Sequence, residues 1–212
     1  MKNFIIITLL FNTATTFTQE DPEFKTIFGG SEMGGYGSFS IGYTPIDSVN
    51  AITFSARGGV ILGHTLALGI GGCGFVSEYQ YQSLFSKDGN LTGGYGGVFA
   101  ELILIGKSPI HLSIPMLAGV GGIAYSTWEN EGTDYDRVNY LEDISTFLVF
   151  EPGIELELNM SKYFRMAGYF TYRYTTDIDL SVVNTSGGHD QLVEPGALNS
   201  YSAGLIFKFG KF

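Results

Sequence analysis

The sequence predicts an all-β fold: an eight-stranded, antiparallel, up-and-down transmembrane β-barrel with a polar filled interior. Three observations carry this expectation. Segments of period-two alternation recur along the chain, separated by turn chemistry. The composition joins 30 glycines and 15% aromatic residues to only 15% charged residues, which is a barrel balance rather than that of a helical enzyme. Although 44% of residues are hydrophobic, no apolar run beyond the N-terminus reaches the about 18 residues of a membrane helix.

Met1 to Thr18 reads as a secretory signal, with Lys2 in the positive region, Phe4 to Phe11 as the apolar stretch and a small polar end. Residues 19–35 then read as a leader and 36–212 as the barrel. The first strand is expected over Tyr36–Tyr43, followed by a Pro, Asp and Asn turn. Ala51–Leu62 alternates Ile52, Phe54 and Val60 against Thr53, Ser55 and Arg57. Leu66–Ser77 forms the third strand after a tight turn at Gly63. Glu78–Thr92 is polar and reads as a loop. Gly93–Ile105 places Val98, Leu102 and Leu104 opposite Tyr95, Phe99 and Glu101. His111–Ser126 follows a second tight turn, and Thr127–Ser145 a second long loop. Thr146–Leu158 and Phe164–Thr175 are joined by a short turn at Asn159. Thr176–Asn199 is the last long loop, and Ser200–Phe212 closes the barrel. After the first connection, short and long links alternate, the asymmetry of membrane barrels with short turns on one side and longer loops on the other.

Charge decides which face meets lipid. Arg57, Glu101, Glu151, Glu155, Glu157, Arg165, Arg173 and Lys208 all fall on the non-apolar parity of their strands. A basic side chain facing lipid at the midplane costs about 2–4 kcal/mol, so these eight are expected inside. Eight strands enclose room only for side chains, so the four acids and four bases must neutralise one another. On the closing strand, Tyr201, Leu205, Phe207 and Phe209 are expected to face lipid, with Lys208 joining the interior acids. Phe212 shares the parity of Lys208 and reads as a rim or assembly residue.

Other features weigh toward structure. Glycine clusters on the second to fifth strands read as relief of crowding around Tyr95, Phe99 or Tyr169. Pro115 and Pro152 each remove a ladder donor, so a bulge or kink is expected there. Cys73 is the single cysteine and reads as a small buried hydrophobe. Tyr125, Trp128 and Tyr135, with Tyr163 and Phe164 at the opposite end, are candidate interfacial aromatics. The loops are acidic: 127–145 carries Glu129, Glu131, Asp134, Asp136, Glu142 and Asp143 against Arg137 alone. Asp177, Asp179, Asp190 and Glu194 occupy the last loop without a Lys or Arg. Carboxylates favour hard divalent cations, but no loop has an EF-hand pattern, so no metal residue and no cofactor is assigned. A formal net charge of −10 argues against nucleic acid as a partner.

His111-Leu-Ser113 resembles the His-x-Ser element of outer-membrane lipid A deacylases, which are also eight-stranded barrels. Its position after a short turn, pointing inward, assigns His111 to the interior network instead, and no catalytic residue is expected. The signal segment, the strand rhythm, the Phe-Gly-Lys-Phe ending and inward Arg57, Glu101, Glu151 and Arg173 together resemble small eight-stranded outer-membrane β-barrel proteins of Gram-negative bacteria. The resemblance implies export to the outer membrane, a periplasmic leader, and contact with outer-membrane lipid, lipopolysaccharide and the barrel assembly machinery. With no rim-level nucleophile beside a histidine and an interior that side chains fill, the role expected is non-enzymatic, structural or an interaction with an envelope protein partner or surface ligand through the acidic loops, without an open pore. The alternatives are an outer-membrane lipid-modifying enzyme and a soluble, lipocalin-like ligand-binding barrel.

Overall fold

The structure is a computed structural model. It describes residues 33–82, 87–104, 109–130, 137–183, 189–191 and 193–212. The signal segment, Tyr135 and residues 19–32 of the leader lie outside the described residues.

Eight long strands close one antiparallel barrel: β1 Met33–Ile46, β2 Val49–Leu62, β3 Leu66–Ser77, β5 Lys87–Leu104, β6 Ile110–Asn130, β7 Arg137–Ser161, β8 Phe164–Thr175 and β11 Ser200–Lys211. Three short strands, β4 Gln80–Gln82, β9 Ser181–Val183 and β10 His189–Gln191, lie in the long connections. Each long strand pairs with its neighbours in chain order, and β1 pairs with β11 to close the ring. Closure leaves no free edge within the wall. Both ends of the described chain, with the turns at 63–65 and 162–163, fall at one mouth; the long connections fall at the other.

Alternation decides which side chains point where. Even positions of β2 and odd positions of β1 and β11 lie outside, so Phe39, Ile41, Phe54, Leu205 and Phe209 are exposed while Ser38, Thr53, Ile206 and Lys208 are buried. Several strands run further than their alternation suggests. β1 starts at Met33, inside the segment read as leader. β5 begins at Lys87 and β7 at Arg137, within stretches read as loops, and β6 extends to Asn130. The added stretches, such as Met33-Gly-Gly on β1 and Lys87-Asp-Gly-Asn on β5, carry no apolar–polar alternation, so period two does not mark them.

The two prolines do not behave as expected. Register is unchanged between Ser113↔Glu155 and Met116↔Pro152. The pairs between them are simply missing, as are those around Pro152 on the β8 side. Pro115 falls in the gap of the β6–β7 ladder, level with Gly153, whereas Pro152 falls in the gap of the β7–β8 ladder, level with Tyr172; pairing on either side of each gap holds the strands in register. The register shifts fall elsewhere, at Tyr125/Ser126 and Asn159/Ser161.

Glycines inside the wall make room for rings. Gly59 pairs with Gly69, and a Cβ on either would meet the Phe99 ring at 2.9 or 2.8 Å. Tyr169 lies over Gly42 in the same way.

The β1–β2 turn is a two-residue hairpin with Asp47 at φ 50° and Ser48 at φ 66°. Its backbone is of the I′ kind, which matches strand twist but asks for positive φ at both positions. Ser48 carries a Cβ where glycine fits best. Ser48→Gly should therefore stabilise the barrel by about 1 kcal/mol, read as a higher midpoint in urea unfolding; an unchanged or lower midpoint would contradict this turn assignment.

Candidate functional site

The filled interior is layered along the barrel axis. At the mouth that holds the termini, Tyr36, Ile61, Ala67, Phe99 and Ile103 form one apolar cluster. At the long-loop mouth a second cluster gathers Ile46, Phe75, Leu91, Tyr95, Ile123 and Phe147. A belt of charges occupies the space between.

Lys208 is the centre of that belt. Its side chain is 1% exposed, and Nζ lies 2.5 Å from Glu101 Oε1, 2.7 Å from Glu155 Oε2 and 2.7 Å from Glu157 Oε1. The Glu155 contact satisfies charge without a well-aligned hydrogen bond, since that oxygen has no hydrogen-bond partner. Arg57 donates to Glu155, and Arg165 Nη1 to Glu157 Oε2 at 3.3 Å. Three carboxylates thus meet three fixed cations. Tyr36 and Ser113 add hydroxyl donors to Glu101 and Glu157. The carboxylates come from β5 and β7, whereas the cations come from β2, β8 and β11, so the belt ties opposite walls together. The same three acids lie close enough to ligate a metal ion, but the ammonium of Lys208 already fills the position between them.

Glu151 and Arg173, the remaining members of the predicted set, stand apart from the belt. Glu151 accepts from Tyr95 and Thr171 hydroxyls. Arg173 is wholly buried. Its Nε donates to the Leu198 carbonyl at 2.9 Å and its Nη2 to Thr44 Oγ1 at 3.4 Å. Its Cζ lies 5.3 and 5.7 Å from the Phe75 and Tyr95 ring centroids. A cavity of about 50 Å³ separates belt and loop end, lined by Arg57, Cys73, Tyr95, Glu151, Glu155 and Tyr169, among others.

His111 and Ser113 do not form a nucleophile–base pair. Both are buried, and both turn to Glu157: Ser113 through its hydroxyl, and His111 with Nε2 at 2.8 Å from Oε2. A base must reach the nucleophile's own proton; here a carboxylate takes it.

On the closing strand Tyr201, Leu205 and Phe209 are exposed and Phe207 half-exposed, the last stacked on Phe39 at 5.1 Å between centroids. Phe212 is on the other side. Its ring stacks on Tyr36 at 5.9 Å, and the Arg165 guanidinium carbon lies 3.8 Å from its centroid. Tyr125, read as a rim aromatic, is buried in the loop-end cluster; its odd position on β6, shared with Ser113 and Ile123, places it inside. Tyr163 is exposed and Phe164 stacks on Phe209 at 4.8 Å.

The last connection, read as a polar loop, supplies buried residues, of which Ile178 and Leu180 belong to a short alternating run with Asp177, Asp179 and Ser181. Ile178, Leu180, Val193 and Leu198 are 2%, 0%, 4% and 0% exposed, within the loop-end cluster. They cap the barrel's mouth.

No family model and no curated protein matches the sequence. Among solved structures, the chain is similar to Neisserial surface protein A, with a TM-score of 0.48 and 12% identity over 85% of this chain and 97% of that one. It is also similar to Ail, the attachment invasion locus protein of Yersinia pestis, with a TM-score of 0.45 and 10% identity over 85% and 99%. A third is the N-terminal β-barrel domain of Pseudomonas aeruginosa OprF, with a TM-score of 0.36 and 12% identity over 85% and 98%. These likenesses concern the barrel alone and say nothing of activity. In strand number and connectivity the chain resembles the small eight-stranded outer-membrane barrels.

Removing the ammonium at the centre of the belt leaves Glu101 buried without a cation and takes one of the two cations from each of Glu155 and Glu157. Lys208→Met should destabilise the barrel by about 3–5 kcal/mol, measured by urea unfolding in lipid vesicles. Adding Glu101→Gln should recover part of the loss. A Lys208→Met barrel as stable as the parent would show that the belt is not held by charge.

Proposed function

We propose that the chain is an integral outer-membrane barrel without an open pore, non-enzymatic, presenting acidic loops to an envelope partner or surface ligand. The observation that carries this reading is the outer wall. Ile70, Val98, Val120, Leu148 and Phe54 are 71%, 64%, 63%, 59% and 56% exposed. Phe39, Phe170, Tyr174 and Phe209 extend the same apolar surface around β1, β8 and β11. A continuous apolar wall far exceeds the patch that a soluble monomer tolerates, whereas lipid solvates it. A soluble ligand-binding barrel needs the reverse arrangement, with charges outside and apolar residues within. Tyr201, Leu205, Phe207 and Phe209 would then face outer-membrane lipid and lipopolysaccharide, after insertion by the barrel assembly machinery.

The interior supports a closed barrel. The buried ion pairs around Lys208 and the two clusters of buried apolar side chains favour a filled lumen over an open one. The environment of Ser113 supports a role other than hydrolysis. At the loop mouth Asp47 and Glu194 are neighbours: burial, and then the Glu194 charge, push the Asp47 carboxyl above the usual carboxylate range. Such a surface would favour a cationic partner or a divalent bridge to an anionic one.

The reading predicts that the expressed protein sediments with the outer membrane and shifts mobility on heating before gel electrophoresis, as folded barrels do. In planar bilayers it should give no steady conductance. Recovery in the soluble periplasmic fraction would overturn the membrane reading, and a stable ion current would overturn the closed barrel.

A further inference from the structure

The two mouths of the barrel differ in charge. At the long-loop mouth Asp47, Glu78, Asp177, Asp179 and Glu194 are exposed. At the mouth of the termini Lys162 and Lys211 are exposed, and no exposed acid stands there among the described residues. The two lysines are neighbours. β8 and β11 pair Phe164 with Phe209, and Gly210 N donates to Tyr163 O at 3.0 Å, so the next step of the register sets Lys211 level with Lys162. Lys211 keeps the outward parity of Phe207 and Phe209. Lys162 Nζ lies 4.8 Å from the Tyr163 ring centroid. Neither ammonium has a carboxylate partner among the described residues. Like charges opposite each other on paired strands are destabilising, and an anion between them reverses the sign.

Beyond the lysines the outward face is apolar. Phe164 and Phe209 stack at 4.8 Å between centroids, and Phe39 widens the stack at 6.2 Å from Phe209. Met166 and Phe207 pair next, and then Gly168, opposite Leu205 on one side and Leu156 on the other. Gly168 is a notch that no crowding explains, since a Cβ there would meet nothing within 4 Å. From Lys162 to Gly168 the chain runs about 20 Å. At the tilt of a membrane barrel this is about 15 Å of depth, half of the hydrocarbon core. A cation pair at the interface and a gap at the midplane have the spacing of a lipid phosphate and the end of its acyl chain.

We propose that this face of β8 and β11 binds one anionic phospholipid, its phosphate between Lys162 and Lys211 and an acyl chain over Phe164 and Phe209 into the Gly168 notch. The inference rests on the membrane reading and names a lipid for one part of the wall. Charge selects the head. Two ammonium groups give a phosphate charge-assisted hydrogen bonds, and each contributes about a fivefold preference for an anionic over a zwitterionic lipid. Shape selects the chain, because Gly168 lets it lie against the backbone between Leu156 and Leu205. The acidic mouth repels the same head, so the lipid belongs to the leaflet on the side of the termini.

The test is native mass spectrometry of the full chain released from nanodiscs of phosphatidylglycerol and phosphatidylcholine, in equal parts and with matched acyl chains. The expected spectrum shows a single retained phospholipid, with phosphatidylglycerol preferred by about tenfold or more. Lys162→Gln together with Lys211→Gln should bring the retained lipids to the proportions of the membrane, and either change alone should leave an intermediate ratio. Gly168→Leu fills the notch without touching a charge and should lower retention of both lipids severalfold. Heat-shifted mobility on gels checks that each variant folds; should Gly168→Leu fail to fold, the lysine variants decide alone. A parent that retains the two lipids in membrane proportions would overturn the site with the barrel still inserted, as would a double variant that keeps the parent's preference. A chain that stays soluble and never enters nanodiscs would overturn the membrane reading, and this inference with it.

Discussion

A barrel of eight strands has an interior too narrow for bulk water, so every charge placed there must find its partner among the other strands. The clamp of Lys208 by Glu101, Glu155 and Glu157 is how this chain meets that constraint. Removing ions from water costs several kcal/mol each, and their attraction offsets this only with good geometry and further hydrogen bonds. The belt supplies both, through Arg57 and Arg165 as flanking cations and Tyr36 and Ser113 as hydroxyl donors. Because the cations sit on β2, β8 and β11 and the acids on β5 and β7, the belt forms only when all of those strands are in register. It rewards one closure of the sheet.

The rest of the molecule follows from that choice. Charges turned inward leave an outer wall of aliphatic and aromatic residues with no ionised group on strand positions such as Ile52, Val98, Phe170 and Leu205. The lumen above and below the belt is then filled with apolar side chains. Phe99 settles over the Gly59–Gly69 pair on one side, and the cap residues settle over Phe75 and Phe147 on the other. Phe212 belongs to this filling, its ring held between Tyr36 and the Arg165 guanidinium.

Strand number, order and facing were legible in the sequence because each depends on period two, a local property. Lys208 reads as inward from Phe207 and Phe209 alone. Its partners do not, since β5 and β7 reach it only across the closed ring. Tyr125 was within reach of the same parity rule, but its place near a loop and the adjacent register shift hid it. Ile178, Leu180 and Val182 do alternate with Asp177, Asp179 and Ser181, but too briefly to stand out in a stretch read as a loop; Leu198 sits singly, and only the folded connection brings it to the mouth. The prolines misled for the opposite reason. A lost donor predicts local distortion when a strand stands alone, whereas Pro115 and Pro152 each interrupt one ladder that stays paired in register on both sides of the gap.

The central claim is that the two faces of the wall divide lipid from charge, and a nitroxide scan along β11 tests it most directly. In a Cys73→Ser background, single cysteines at positions 201 to 209 would carry the spin label, one at a time, in lipid vesicles. Collision with dissolved oxygen should alternate, high at 201, 205, 207 and 209 and low at 202, 206 and 208, as the exposed and buried faces of this strand require. A flat profile, or one with the opposite phase, would contradict the account.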